Sequence, residues 1–255
     1  GEGVLLRTGR RPRVELRDVT QLVLSGDEAK DQTYFLAGLT PEQLSKVSFP
    51  LGGLSKAQVR AIAKAEELPS AGRKDSQGIC FLGKVKFKEF VKEHLGTRPG
   101  ALLEFETGDE LGEHEGFWFY TIGQRQGLGL AGGPWYVVGK DPERNRVYVS
   151  RSYYDGAKRR DTFECEQLSW LGAGRLTAGR TTTGVKVKVR HGAAMYDAEV
   201  EVDAAGERAT VRLPESDQGL AAGQYAVFYT ADGVCLGCGV IAETRAKDGR
   251  PVVGQ

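Results

Sequence analysis

The residue best suited to covalent chemistry is Cys80, in Asp75-Ser-Gln-Gly-Ile-Cys80-Phe-Leu-Gly83. Glycines stand on both sides of it, and Arg73, Lys74, Lys84 and Lys86 are near in sequence. Neighbouring cations lower a thiol pKa and raise the fraction of thiolate, which is the nucleophile. A cysteine between Ile and Phe also has a plainer use as a buried apolar residue, and the residues alone leave both uses open. Cys235 and Cys238 form a single C-x-x-C. A zinc site needs four ligands, and no second pair is at hand unless another subunit supplies it. If the segment is a strand, the offset of three predicts thiols on opposite faces. Cys165 lies in an alternating pattern and is expected to be packed.

A second kind of chemistry is electrostatic. In Val185-Lys186-Val187-Lys188-Val189-Arg190-His191, period two puts Lys186, Lys188 and Arg190 on one face and the valines on the other. Such a face is either a solvated strand surface or a cationic stripe for a phosphate backbone. Lys84, Lys86 and Lys88 make a second basic cluster, close to Cys80. The segment GLGLAG at 127–132 matches G-x-G-x-x-G, but Gly133-Pro134-Trp135 and a strand follow it where a dinucleotide site needs a helix. A flexible loop is the expectation. His94, His114 and His191 share no spacing that suggests a metal or a catalytic pair.

The elements that must position these groups are set by a composition of 255 residues, with 35 Lys plus Arg against 34 Asp plus Glu. A net charge of +1 excludes a polybasic tail protein, so any nucleic-acid binding must come from local patches. Four cysteines are too few for a secreted disulfide framework. No apolar run approaches the 18 or so residues of a membrane span, and no signal peptide opens the chain. Glycine, at 35 residues, is about twice its usual share and points to many turns.

Helices are predicted in the first half. KDQTYFLAGL is a short one that breaks at Gly38. Thr40-Pro41-Glu42 reads as an N-cap followed by Pro at the first helical position. Ser55 with Gln58 forms a capping box, ahead of a stripe of Val59, Ile62, Ala63 and Leu68. Another helix runs from about Lys86 to Leu95. After Gly100 short strands are predicted: ALLEFET, GFWFYTI, WYVVGK, RVYVSR, TFECEQL, VKVKVRH, DAEVEVD, ATVRL, YAVFYT and VCLGCGVI. Their number and spacing suggest a small barrel or sandwich.

Taken in order, KDQTYFL at 30–36, FPLG at 49–52, KDSQGICFLG at 74–83, YTIGQRQGLGL at 120–130 and PWYVV at 134–138 resemble the tRNA-specific 2-thiouridylases. VKVRH at 187–191, AGQYAVFY at 222–229 and CLGCGVI at 235–241 extend the resemblance to the C-terminal part. It implies an α+β chain: residues 1–39 as the remnant of an N-terminal α/β nucleotide-binding domain, 40–158 as a small, mainly helical central domain, 159–245 as a C-terminal antiparallel β-barrel, and 246–255 as a tail. The remnant would expose a face that normally packs on the rest of its domain.

The resemblance also implies the chemistry. ATP activates the 2-oxygen of a wobble uridine, a cysteine persulfide delivers sulfur, and a second cysteine assists by forming a disulfide. The family's G-I-C-F motif is Gly78-Ile79-Cys80-Phe81 here, which makes Cys80 the persulfide carrier. Contacts to tRNA carry over to Lys30, Asp31, Gln32, Arg190, His191 and Gln224, although Ala222 stands where the family has the proline of its P-G-Q motif. Lys84, Lys86, Lys186 and Lys188 are candidate contacts to the tRNA backbone. Departures matter equally. The nucleotide loop S-G-G-x-D-S, the G-H-Y-A segment and any cysteine before Cys80 are missing. This chain is therefore expected neither to form the adenylate nor to complete a two-cysteine cycle, and a tRNA-binding module without catalysis of its own is the alternative. The implied partners are tRNA and a persulfide donor, either a relay protein or a cysteine desulfurase, with a monomeric enzyme, no membrane and no metal. The implied compartment is the bacterial cytoplasm or an organelle matrix.

Overall fold

A computed structural model describes residues 20–73, 86–153, 161–192, 194–217 and 219–245, without the side chains of Phe87, Ala173 and 243–245. In chain order the elements are β1 (Leu22–Val23), α1 (Thr33–Leu36), α2 (Pro41–Leu44), α3 (Lys56–Ala65) and α4 (Phe87–Leu95). Then come β2 (Gly100–Glu104), β3 (Glu110–His114), β4 (Tyr136–Asp141) and β5 (Arg146–Ser150). The rest are β6 (Thr162–Trp170), β7 (Thr181–Lys188), β8 (Tyr196–Val202), β9 (Ala209–Arg212), β10 (Tyr225–Tyr229) and β11 (Val234–Arg245). Contacts divide the chain into two compact units.

In the first unit, residues 20–73, 162–215 and 222–243, six strands close an antiparallel barrel in the order β11-β10-β7-β8-β9-β6, with β6 returning to β11. The expected C-terminal antiparallel barrel is present. Strand β1 adds to it, pairing Leu22 with Cys235 and Val23 with Val234. Residues 22–49 cover the outer face of this wall. Leu22, Ala37 and Leu44 are buried there with Leu171, Val227, Tyr229, Cys235 and Cys238. The described part of 1–39 thus packs on the barrel, which the sequence did not suggest. Local chemistry starts the helices as expected. Thr40 and Gln43 exchange the two bonds of a capping box before α2, and Ser55 and Gln58 do the same before α3. Each box satisfies backbone N–H groups that have no partner within the helix.

The second unit contains residues 86–153. A four-stranded sheet runs β3-β2-β5-β4, with β2 parallel to β5 and the other pairs antiparallel. Its core is Leu102, Leu128, Trp135, Val137, Val147 and Val149. The predicted strand GFWFYTI is not one. Gly116 takes φ +152 and opens a 3-10 turn over Phe117–Phe119, while the strand pairing with β2 is β3, just before it. An aromatic run reads as strand by propensity, but Phe117 here packs on the core from a turn.

Candidate nucleic-acid interface

The arrangement of the first unit begins at Asp31, which is buried. Its Oδ2 accepts the Ser25 N–H at 2.8 Å, and its Oδ1 accepts the Thr33 N–H at 3.2 Å and the Thr33 hydroxyl. The Thr33 hydroxyl oxygen lies 3.0 Å from the Tyr229 hydroxyl on β10. Lys188 Nζ stands 3.5 Å from Asp31 Oδ1, with the two side chains 4% and 1% exposed. These bonds fasten the chain at 31–33 to the barrel wall beside a cavity of about 160 Å³ that Asp31 and Lys188 help to line.

The neighbours of Asp31 turn outward as a result. The Gln32 amide nitrogen donates to His191 Nε2 at 3.3 Å across 159 residues of sequence. Phe35 stacks on the His191 ring at 4.9 Å and 26°. The Tyr34 hydroxyl donates to the Tyr225 carbonyl at 3.0 Å, and its ring meets Phe35 edge-on. Lys30 and Arg190 are exposed. The motif residues Lys30, Gln32, Arg190 and His191 thus come together on one unit. Gln224 is half-buried at the start of β10, and its Oε1 has no hydrogen-bond partner among the described residues. Phe35 was not singled out from sequence, although its place on a very short helix beside an outward Gln was the available signal.

The basic stripe is corrected. The faces alternate as expected: Val187 lies opposite Phe228, and Lys186 and Lys188 lie opposite Tyr229 and Val227. However, the wall bearing Val227 and Tyr229 is the one covered by residues 22–49. Lys188 is therefore buried against Asp31. Lys186 pairs at 2.8 Å with Asp197, its cross-strand neighbour. Arg190 is left as the exposed cation of the three. Asp31 is likewise buried, at 4% exposure.

The thiol geometry is corrected too. On β11, Cys238 faces Val227 and Cys235 faces Tyr229, two residues apart on β10. A bulge at Leu236 absorbs the odd residue, so both thiols share one face. That face is core. Burial pushes Cys235 up to about 12 and Cys238 to about 11, and it raises Cys165 as well. Such thiols are inert at neutral pH. Their burial also denies access to zinc ligands from another subunit, and no group of three metal-ligating side chains exists among the described residues.

In the second unit the GLGLAG loop leads to β4 and not to a helix, so it offers no helix N-terminus to a pyrophosphate. Lys86 pairs with Glu89 at 2.8 Å, while Lys88 and Lys92 both bind Glu115, at 2.7 and 2.9 Å. The two ammonium groups hold the Glu115 carboxyl at about 2. Cys80 and Lys84 lie outside the described residues.

Three domain families match the chain: a tRNA methyl transferase HUP domain at residues 4–84, a tRNA methyl transferase PRC-barrel domain at 88–151 and an aminomethyltransferase β-barrel domain at 160–241. The tRNA-specific 2-thiouridylase MnmA of Porphyromonas gingivalis is 45% identical over 235 residues, covering 90% of this chain and 64% of the relative. That of Parabacteroides distasonis is 43% identical over 230 residues, with the same coverage. A Bacteroides fragilis relative of the same name is 44% identical over 229 residues, covering 89% of the chain. The chain spans 64% of the length of these relatives.

Proposed function

We propose that the chain belongs to the tRNA-specific 2-thiouridylase family and is the tRNA-gripping and sulfur-delivering part of an enzyme that forms 2-thiouridine in tRNA. The observation that carries this reading is the contact between Gln32 and His191, at 3.3 Å. It joins two segments that the family resemblance assigns to tRNA. Lys30 and Arg190 would hold backbone phosphates, while Gln32, His191 and Gln224 would position the loop whose wobble base must be turned out of its stack.

Cys80 is the group we assign to sulfur delivery. The outer sulfur of its persulfide would bond to C2 of the uridine as the activated oxygen departs, and a second thiol from elsewhere in the enzyme would then attack the Cys80 sulfur, breaking the S–S bond to leave 2-thiouridine and a disulfide. A sulfur carrier needs an accessible thiolate, and no other cysteine of this chain supplies one, since Cys165, Cys235 and Cys238 are buried. ATP and the second thiol of the family's cycle find no site in the described residues, and no step through either is assigned to this chain. The sulfur source would be a persulfide-bearing relay protein or a cysteine desulfurase. The matched relatives are bacterial, which favours the bacterial cytoplasm over an organelle, and no helix of the described residues is long and apolar enough to cross a membrane.

Two measurements test the reading. Cys80→Ser in the full-length protein, expressed in cells lacking their own thiouridylase, should leave tRNA without 2-thiouridine by nucleoside mass spectrometry. The same variant should bind tRNA as tightly as the parent. Persisting thiolation would remove Cys80 from its role. Failure of the parent chain to bind tRNA would remove the whole proposal.

A further inference from the structure

We propose that the outward face of Phe35 is a stacking site for an unpaired base of the bound tRNA. This goes a step beyond the tRNA-binding reading and rests on it. Phe35 is 62% exposed although it is a large apolar residue. A single exposed Phe is unremarked on most surfaces, but this one is mounted. One face lies on the His191 ring at 4.9 Å and 26°. Tyr34 meets it edge-on, with ring centroids 5.4 Å apart, and is itself tied to the Tyr225 carbonyl at 3.0 Å. The Phe35 N–H donates to the Gln32 carbonyl at 3.0 Å, and Gln32 holds His191 in turn. Beneath them, the buried Asp31–Lys188 pair fixes the chain. An aromatic ring on a prepaid scaffold loses little freedom when a second ring settles on it.

The occupant follows from the surroundings. Exposed Lys30 and Arg190 are next but one and next in sequence to Gln32 and His191, and the Gln32 amide meets the His191 ring on which Phe35 stacks. A purely apolar protein surface would gain nothing from those charges, whereas a nucleotide presents a flat π-face and an anionic backbone together. Single-stranded loops of RNA are held in this way, by bases laid on aromatic rings with cations along the backbone. Phe35, not His191 alone, then supplies the sequence-tolerant part of the affinity, because every base has a π-face.

The test uses an anticodon stem-loop RNA in which 2-aminopurine replaces one loop base at a time, bound to the 255-residue chain and to the full-length protein. One loop position should be quenched on binding. Phe35→Leu keeps an apolar side chain and removes the π-face. It should abolish that quenching and weaken binding on the order of tenfold to a hundredfold, with an unchanged salt slope because no phosphate contact is lost. Phe35→Trp should restore both readouts, which excludes a folding defect as the cause. Binding by Phe35→Leu within about twofold of the parent, while Arg190→Ala still loses affinity, would overturn the stacking site and leave the tRNA reading standing. A Phe35→Leu variant that loses affinity by flattening the salt slope would overturn it as well. If the parent binds no RNA, both readings fall.

Discussion

Asp31 and Lys188 form an ion pair at 3.5 Å inside the protein, one on the loop that carries the motif Lys30-Asp31-Gln32 and the other on barrel strand β7. Both side chains are buried, at 1% and 4% exposure. They hold the segment from which Gln32 and Phe35 project. Removing one partner of a buried pair strands the other charge, at a cost of about 3–5 kcal/mol. Lys188→Met should therefore lower the unfolding free energy by roughly that amount, measured by urea denaturation. Lys188→Met combined with Asp31→Asn should lose less than the two single changes added together. Simple additivity would mean that the pair does not act as a unit.

How far the sequence led depends on how local each cause is. The helix starts lie within four residues of chain and are legible as text: Ser55 with Gln58 as a capping box and Thr40 as an N-cap before Pro41, whose return bond from Gln43 the structure adds. The barrel strands repeat an alternation that needs no distant information. Lys188 is different. Its alternation is as predicted, but its burial depends on residues 22–49, which lie more than a hundred positions away and cover that side of the wall. Cys235 and Cys238 share a face because of one bulge residue, and nothing in C-x-x-C announces it. The motif residues of the interface came from family resemblance, whereas Phe35 became visible only through its contact with His191.

Cysteine reactivity should divide sharply along the chain. With Cys238 at about 11 and Cys235 at about 12, thiolate at pH 8 amounts to about one part in a thousand and one in ten thousand. Burial blocks the reagent besides. Brief iodoacetamide treatment of the native protein at that pH should label Cys80 and spare Cys165, Cys235 and Cys238, as read by peptide mass spectrometry. In urea all four should react. Native labelling of Cys238 at a rate near that of Cys80 would contradict the buried geometry of β11.

Lys186 within β7 and Arg190 two residues past its end give a comparison of two cations on one segment. Lys186 is 32% exposed, with Asp197 at 2.8 Å, and Arg190 is the more exposed of the two. Arg190→Ala should weaken tRNA binding across sequences and reduce the magnitude of the salt slope by about one. Lys186→Ala should change the slope by much less. Equal effects from the two would mean that the Asp197 pair opens on binding and that the whole edge of the strand meets the phosphates.

His114 should make stability sensitive to mild acid. Burial holds its pKa below the ordinary value, partly offset by the Asn145 carbonyl. Its Nδ1 accepts the Gly116 N–H at 3.0 Å, which requires the neutral ring. The unfolded chain has an ordinary His, with a pKa of about 6.5. Below that value it takes up a proton that the folded ring resists, so stability is full above about 6.5 and falls as pH drops through it toward the folded pKa. Melting temperature should decline between pH 7.5 and 5, and His114→Leu should start lower but decline less. An equal decline in both would assign the acid sensitivity to other groups.

Gly237 is where β11 closes on β6. Its φ is +145°, and a Cβ there would lie 2.1 Å from the Ser169 carbonyl oxygen and 2.9 Å from the Trp170 Cα. Both neighbours are backbone, held in the ladder that completes the barrel, so neither can yield without opening it. Gly179 is the control, because its φ is +73° and nothing lies within 4 Å of an added Cβ. Gly179→Ala should cost about 1 kcal/mol for the left-handed backbone alone. Gly237→Ala should cost at least about 3 kcal/mol, through strain and loss of β6–β11 pairing. Hydrogen exchange locates the damage: amides of β6 and β11 should lose protection first in Gly237→Ala. If the two alanine variants unfold alike, the close approach of these strands is not what closes the barrel.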